Sequence, residues 1–110
     1  MKINRKENYT ILSPEKDGIS VFLKDITTNL SEFKTENVII DIIKFGNLSL
    51  KEVQLFLDIS NAHRAQKKSL VLVNDSINIE EISDELIVAP TLLEAGDIIG
   101  MEELERELGF

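Results

Sequence analysis

Residues 37–75 read NVIIDIIKFGNLSLKEVQLFLDISNAHRAQKKSLVLVND, and this stretch decides the fold. Two runs of branched apolar residues, 37–43 and 69–73, are typical of strands that are covered on both faces. Between them, Ser49 followed by Glu52 gives the spacing of a capping box at the start of a helix. A strand, a helix of about eighteen residues and a second strand predict two parallel strands joined by a right-handed crossover, as in about 98% of such units.

Shorter elements flank this unit on both sides. Before it, the pattern predicts short strands at 1–5 and 9–13 and an amphipathic helix at 19–33. After it, the pattern predicts a short helix at 79–82, a strand at 86–88 that Pro90 ends, a helix capped by Thr91 and Glu94 that Gly100 breaks, and a last helical segment at 101–108. We therefore expect one domain over residues 1–110, of α/β class, with helices packed on a mixed sheet of four or five strands.

The charges are distributed unevenly along the chain, which carries a formal net charge of -8. Residues 1–74 hold eleven Lys or Arg and nine Asp or Glu, whereas residues 75–110 hold one Arg and eleven acidic residues. Because phosphate backbones are bound by clustered Lys and Arg, we expect no nucleic-acid partner. The acidic pairs Glu80–Glu81 and Glu102–Glu103 are predicted to be solvated surface, since adjacent residues on a helix point apart. The alternative is that the acidic C-terminal helix docks a basic partner.

The sequence lacks the residue clusters that most catalytic and metal sites require. With no cysteine and a single histidine, His63, it offers neither a disulfide nor a zinc site, and we expect a non-enzymatic protein without a cofactor. We expect His63 to be a packed or surface histidine rather than a general base, and Asp41 to bond backbone amides where its strand ends. The longest apolar runs are strand-length and no secretory signal is recognisable, so we expect no membrane association and a cytoplasmic location.

Three segments of the chain resemble a known family. The segments VIIDII at 38–43, SLVLVND at 69–75 and LIVAPTLLEAGDII at 86–99 are similar to parts of the STAS domain of anti-sigma factor antagonists. The resemblance covers nearly the whole chain and rests on hydrophobic pattern and spacing. It implies a STAS-like fold and a regulatory domain that binds another protein, such as a serine kinase or an anti-sigma-type regulator. It also implies a monomer or a weak homodimer.

In that family, a partner kinase phosphorylates one serine in the loop before the central helix. The resemblance places this loop at residues 47–50, where Ser49 matches in residue type but the family's acidic residue and glycine are missing. It therefore implies a degenerate regulatory site, with Gly46, Asn47, Ser49 and Glu52 as the interaction loop. As a helix cap, Ser49 has a structural role. As a phosphoacceptor, it would place a phosphate at the positive end of a helix.

Two other interpretations stay open. The acidic ending MEELERELGF is similar to that of small bacterial proteins that carry the name ribonuclease Z. That nuclease needs a His-x-His-x-Asp-His cluster and further histidines to hold two zinc ions, so a chain with one histidine would at most accompany the nuclease. The second interpretation is a small flavodoxin-like domain that binds a ligand or a nucleotide at the carboxyl ends of its strands.

Overall fold

Strands and helices alternate along the chain in the computed structural model, which describes residues 1–109 except for the side chain of Ile79. Three short 3-10 helices lie at Leu30–Phe33, Ile43–Phe45 and Ile79–Glu81. The strands and α-helices, in chain order, are β1 Lys2–Arg5, β2 Thr10–Ser13, α1 Ile19–Asn29, β3 Val38–Asp41, α2 Leu50–Arg64, β4 Leu70–Val73, β5 Val88–Ala89 and α3 Leu92–Glu107. The α/β class predicted from the sequence is confirmed.

The five strands described within residues 1–109 form one mixed sheet in the order β1-β2-β3-β4-β5. Strand β1 pairs with β2 in antiparallel orientation, and each later strand lies parallel to the one before it. The predicted parallel pairing of the two central strands is confirmed, with Ile39 opposite Val71 and Ile40 opposite Leu72. The carboxyl ends of β2 to β5 therefore share one edge of the sheet.

The central strands separate two hydrophobic clusters because successive side chains of a strand point to opposite faces. On one face, Ile40 and Leu72 pack with the apolar residues of α1 and α2. On the other face, Ile39 and Val71 pack with the buried residues of α3. The predicted covering of these strands on both faces is thus confirmed, and the domain has three layers: α1 and α2, the sheet, and α3.

Side chains cap the starts of α2 and α3. The predicted capping box of α2 is present: the Glu52 N–H donates to Ser49 Oγ (3.1 Å), and the Ser49 N–H donates to Glu52 Oε1 (2.8 Å). At α3, the Glu94 N–H donates to Thr91 Oγ1 (3.1 Å). The Glu94 carboxylate, however, accepts from the Thr91 hydroxyl (3.2 Å), so only half of the predicted second box is formed.

The C-terminal helix differs from its prediction. We predicted a break at Gly100, but α3 runs unbroken from Leu92 to Glu107. A glycine inside a helix costs only about 1 kcal/mol, and the helix is anchored on both sides of it. Ile99 is fully buried, and residues further along α3 bond to α2 and to the sheet. Strand β5 is also shorter and later than predicted, at Val88–Ala89.

Candidate functional site

The predicted interaction loop joins the carboxyl end of β3 to α2. Its first turn is the 3-10 helix Ile43–Phe45, and the Asp41 carboxylate accepts from the Ile43 N–H (3.2 Å), as expected for an acid at a strand end. Gly46 follows with φ 61° and ψ -133°. This backbone conformation is the one required at the first central position of a type II′ turn, where glycine is strongly preferred. The glycine therefore sets the direction in which the chain enters α2.

Asn74, directly after β4, holds this loop in place. Its side-chain amide donates to the carbonyl oxygens of Gly46 (2.8 Å) and Ile42 (3.2 Å). Its side-chain oxygen accepts from the N–H groups of Ser76 (2.7 Å) and Ile77 (2.9 Å). One buried amide thus joins the loop after β3 to the loop after β4. The sequence contained a signal for this role, because an amide side chain directly after a buried strand lies at the same sheet edge as the loop after β3.

The capping box places the other two predicted residues at the first turn of α2. Ser49 is exposed, and its oxygen is occupied as the acceptor for the Glu52 N–H. The Glu52 carboxylate occupies the Ser49 N–H in return. A phosphate on Ser49 would therefore lie against a carboxylate that already uses one of the free amides of the helix start. Like-charge repulsion opposes the attraction of the helix dipole at this position.

Leu50, the first residue of α2, is the most exposed large apolar side chain in the described part of the chain, with 78% of its surface accessible. It lines a groove of about 160 Å³ between the interaction loop and the segment after β4, together with Asn47, Leu48 and Ile77. Ser49 and Glu52 instead face a second groove of about 520 Å³ between α1 and α2. Three of the four predicted residues therefore border two separate grooves: Asn47 lines the smaller one, and Ser49 and Glu52 line the larger one, whereas Gly46 lines neither.

His63 lies at the far end of α2 from this loop. It is buried, and its Nε2 lies 2.7 Å from the carbonyl oxygen of Glu36. The pKa of His63 is lowered mainly by burial, which disfavours the charged form. The positive charge of the nearby Arg64 guanidinium lowers this pKa further. The sequence left a packed and a surface position open for this histidine, and the structure shows the packed one. Among residues 1–109, no three His, Cys, Asp or Glu side chains are grouped so as to hold a metal ion.

The acidic pair Glu102–Glu103 is not the solvated surface that we predicted. Glu102 accepts from Arg64 Nη1 (3.1 Å) and also from the Ser69 hydroxyl. Glu103 accepts from Arg106 and from the Asn37 side-chain amide (3.0 Å). The hydrogen bond from Arg106, followed by that from Asn37, lowers the pKa of Glu103. The prediction failed because both residues face the amino ends of β3 and β4, where polar side chains were available as partners.

Neither a search for membrane-spanning helices nor comparison with known proteins assigns a function to the chain. Within the described range, no helix is both long and apolar enough to cross a membrane. No protein-family model matches the chain, and no curated protein matches it in sequence.

Proposed function

We propose that this chain is a non-enzymatic, STAS-like regulatory domain that binds another protein through residues 46–52 and the grooves beside them. The similarity of three sequence segments to the STAS family supports the proposal. The order of elements and the mixed sheet agree with such a fold. The contacts of Ser49 support a degenerate switch, because its hydroxyl and amide are both used by the capping box. Partner binding in this proposal does not require phosphorylation.

The observation that carries the proposal is the exposure of Leu50 on a fixed backbone. The capping box holds the residue before it, and Asn74 holds the loop that leads into it. An apolar side chain on an ordered backbone loses little conformational entropy when a partner covers it, so its burial contributes more fully to affinity. Leu50 is therefore suited to be the central apolar contact, with the smaller groove beside it accepting a side chain of the partner.

The proposal is tested with paired bait proteins. The unaltered chain, Leu50→Gln and Leu104→Gln are each captured from cells that produce the protein, and bound proteins are quantified by mass spectrometry. Leu104 is a matched control because it is an exposed leucine of α3, on the other face of the sheet. We expect a partner whose recovery falls about tenfold with Leu50→Gln and is unchanged with Leu104→Gln. Recovery of every bound protein by Leu50→Gln at the level of the unaltered chain would contradict the proposal.

A second candidate is small-molecule binding in the larger groove, which lies between α1 and α2 and not at the strand carboxyl ends, where the flavodoxin-like alternative places its ligand. The groove's volume of about 520 Å³ falls in the range of small-molecule sites. The groove is open and lies between two helices, with hydroxyl groups of Ser20, Thr27 and Thr28 along it. A thermal-shift screen with nucleotides and flavins separates the two candidates. A stabilisation that saturates with ligand and is lost in a Thr27→Val variant would favour ligand binding.

A further inference from the structure

Helix α3 carries several large apolar side chains on its outer side. Its buried residues are only Ala95 and Ile99, which pack against the sheet. Its outer side carries Leu93 (77% exposed), Met101 (64%) and Leu104 (54%), and Leu108 (61%) follows directly after the helix end. Such large side chains bury substantial apolar surface when a partner covers them.

These four residues, here named the α3 stripe, share one side of the helix. Steps of eight, three and four residues separate them, which keeps them within a sector of about 80° at 100° per residue. The stripe is about 22 Å long at 1.5 Å per residue. Met101, Leu104 and Leu108 have the three- and four-residue spacing that helix-in-groove recognition uses, and Leu93 extends the stripe by about two helical turns.

The charges around the stripe are acidic. Asp97 is exposed and lies inside the stripe, between Leu93 and Met101, while Glu94, Glu105 and Glu107 are exposed on its flanks. The single cationic residue of α3 is Arg106. Arg106 turns away from the stripe, because its guanidinium donates to the Ser69 hydroxyl (3.0 Å) and to Glu103. The stripe therefore presents leucine and methionine side chains in a negative field.

We propose that the α3 stripe binds a basic amphipathic helix of another protein. A partner that covers the stripe also covers Asp97, and a buried carboxylate requires a cation beside it. A second copy of the chain would bring Asp97 and the flanking glutamates against their own equivalents, which repels. An anionic lipid surface is repelled by the same carboxylates. A helix with leucines along one side and lysines beside them satisfies both the apolar and the acidic parts of the surface.

This surface is independent of the loop at residues 46–52. Helix α3 packs on the sheet face that is opposite α1 and α2. Both surfaces can therefore be occupied at the same time, and a failure of one proposal leaves the other standing.

The test uses the whole chain and a synthetic peptide of about 18 residues, with a leucine stripe flanked by lysines, which spans the stripe length when helical. Binding is followed by fluorescence anisotropy. We expect Leu104→Gln to weaken binding about tenfold and Asp97→Asn to weaken it by a similar factor. Val21→Gln, which alters an exposed apolar residue of α1 on the other face of the sheet, leaves the affinity unchanged. A peptide with glutamates in place of the lysines does not bind.

Three results would overturn the proposal. The first is equal affinity of the basic peptide for the unaltered chain and for Leu104→Gln, or no binding at all. The second is a dimer in sedimentation velocity that Leu104→Gln dissociates and Asp97→Asn strengthens, which would make a second copy the occupant. The third is binding to phosphatidylcholine and phosphatidylglycerol vesicles that Asp97→Asn strengthens, which would make a lipid surface the occupant. Circular dichroism confirms that each variant is folded.

Discussion

Asn74→Ala removes four hydrogen bonds from the site in one substitution, because a single side chain makes all of them. The amide donates to the carbonyl oxygens of Ile42 and Gly46, and the oxygen accepts from two N–H groups of the loop after β4. A typical intramolecular hydrogen bond contributes about 0.5–1.5 kcal/mol, so four give about 2–6 kcal/mol. Once the amide is removed, water can hydrogen-bond the backbone groups of the two loops and compensate in part. We therefore expect the free energy of unfolding to fall by about 3 kcal/mol.

The assay is urea denaturation followed by circular dichroism, combined with amide hydrogen exchange of the loop. We expect Asn74→Ala to lower the free energy of unfolding by about 3 kcal/mol and to speed exchange at residues 43–49. Asn78→Ala is the matched control, because Asn78 is exposed and its side chain accepts the Glu80 N–H (3.1 Å) within the same short turn. It should change stability by less than about 1 kcal/mol. A loss below about 1 kcal/mol for Asn74→Ala as well would refute the assigned role of Asn74.

Three further predictions concern glycines, pH and the acidic pair. Gly100→Ala should stabilise the fold by about 1 kcal/mol in urea denaturation, since a Cβ there meets no atom within 4 Å. Gly46→Ala should destabilise the fold by about 1–3 kcal/mol in the same assay, because the backbone φ at Gly46 is positive. Burial lowers the pKa of His63 below 6.5, so the unfolded chain binds the proton more tightly than the folded chain does. The free energy of unfolding therefore falls as the pH drops from about 6.5 through the pKa of the folded state. His63→Gln should flatten this pH dependence, and an unchanged dependence of stability on pH would show that His63 is not its source. Glu102→Ala should cost about 2–3 kcal/mol because it leaves a partly buried arginine unpaired, whereas Glu105→Ala, on the exposed side of α3, should change thermal stability by less than about 0.5 kcal/mol.

The sequence was sufficient for the parts of the fold that local pattern determines. The branched runs 37–43 and 69–73 predicted two buried parallel strands, and Ser49 with Glu52 predicted the start of α2. The start of α3 was predicted through Thr91, although Glu94 makes a different bond from the one expected. These predictions succeeded because residues close in sequence make the decisive contacts.

Long-range contacts explain what the sequence did not predict. The continuity of α3 through Gly100 depends on bonds from Glu102 and Glu103 to residues more than thirty positions away. The role of Asn74 likewise depends on a loop 28 residues earlier in the chain. No local propensity encodes such pairings, so they appear only once the strands are placed side by side.

The two surfaces proposed for binding differ in how they arise. Asn74 and the capping box hold the loop at residues 46–52, and Leu50 is exposed on it. The α3 stripe is an unpaired helix face with acidic flanks. Two such surfaces on opposite faces of one sheet would allow the proposed regulatory domain to hold two proteins at once.

Site-specific photo-crosslinking inside the producing cell tests most directly whether another protein binds at Leu50. A photoreactive phenylalanine is placed at position 50, beside the capping box, and for comparison at position 58, on the exposed side of the same helix. We expect a discrete crosslinked protein from position 50 and none from position 58. The same adducts from both positions, or none from position 50 in cells where the partner-capture experiment recovers bound protein, would contradict this expectation.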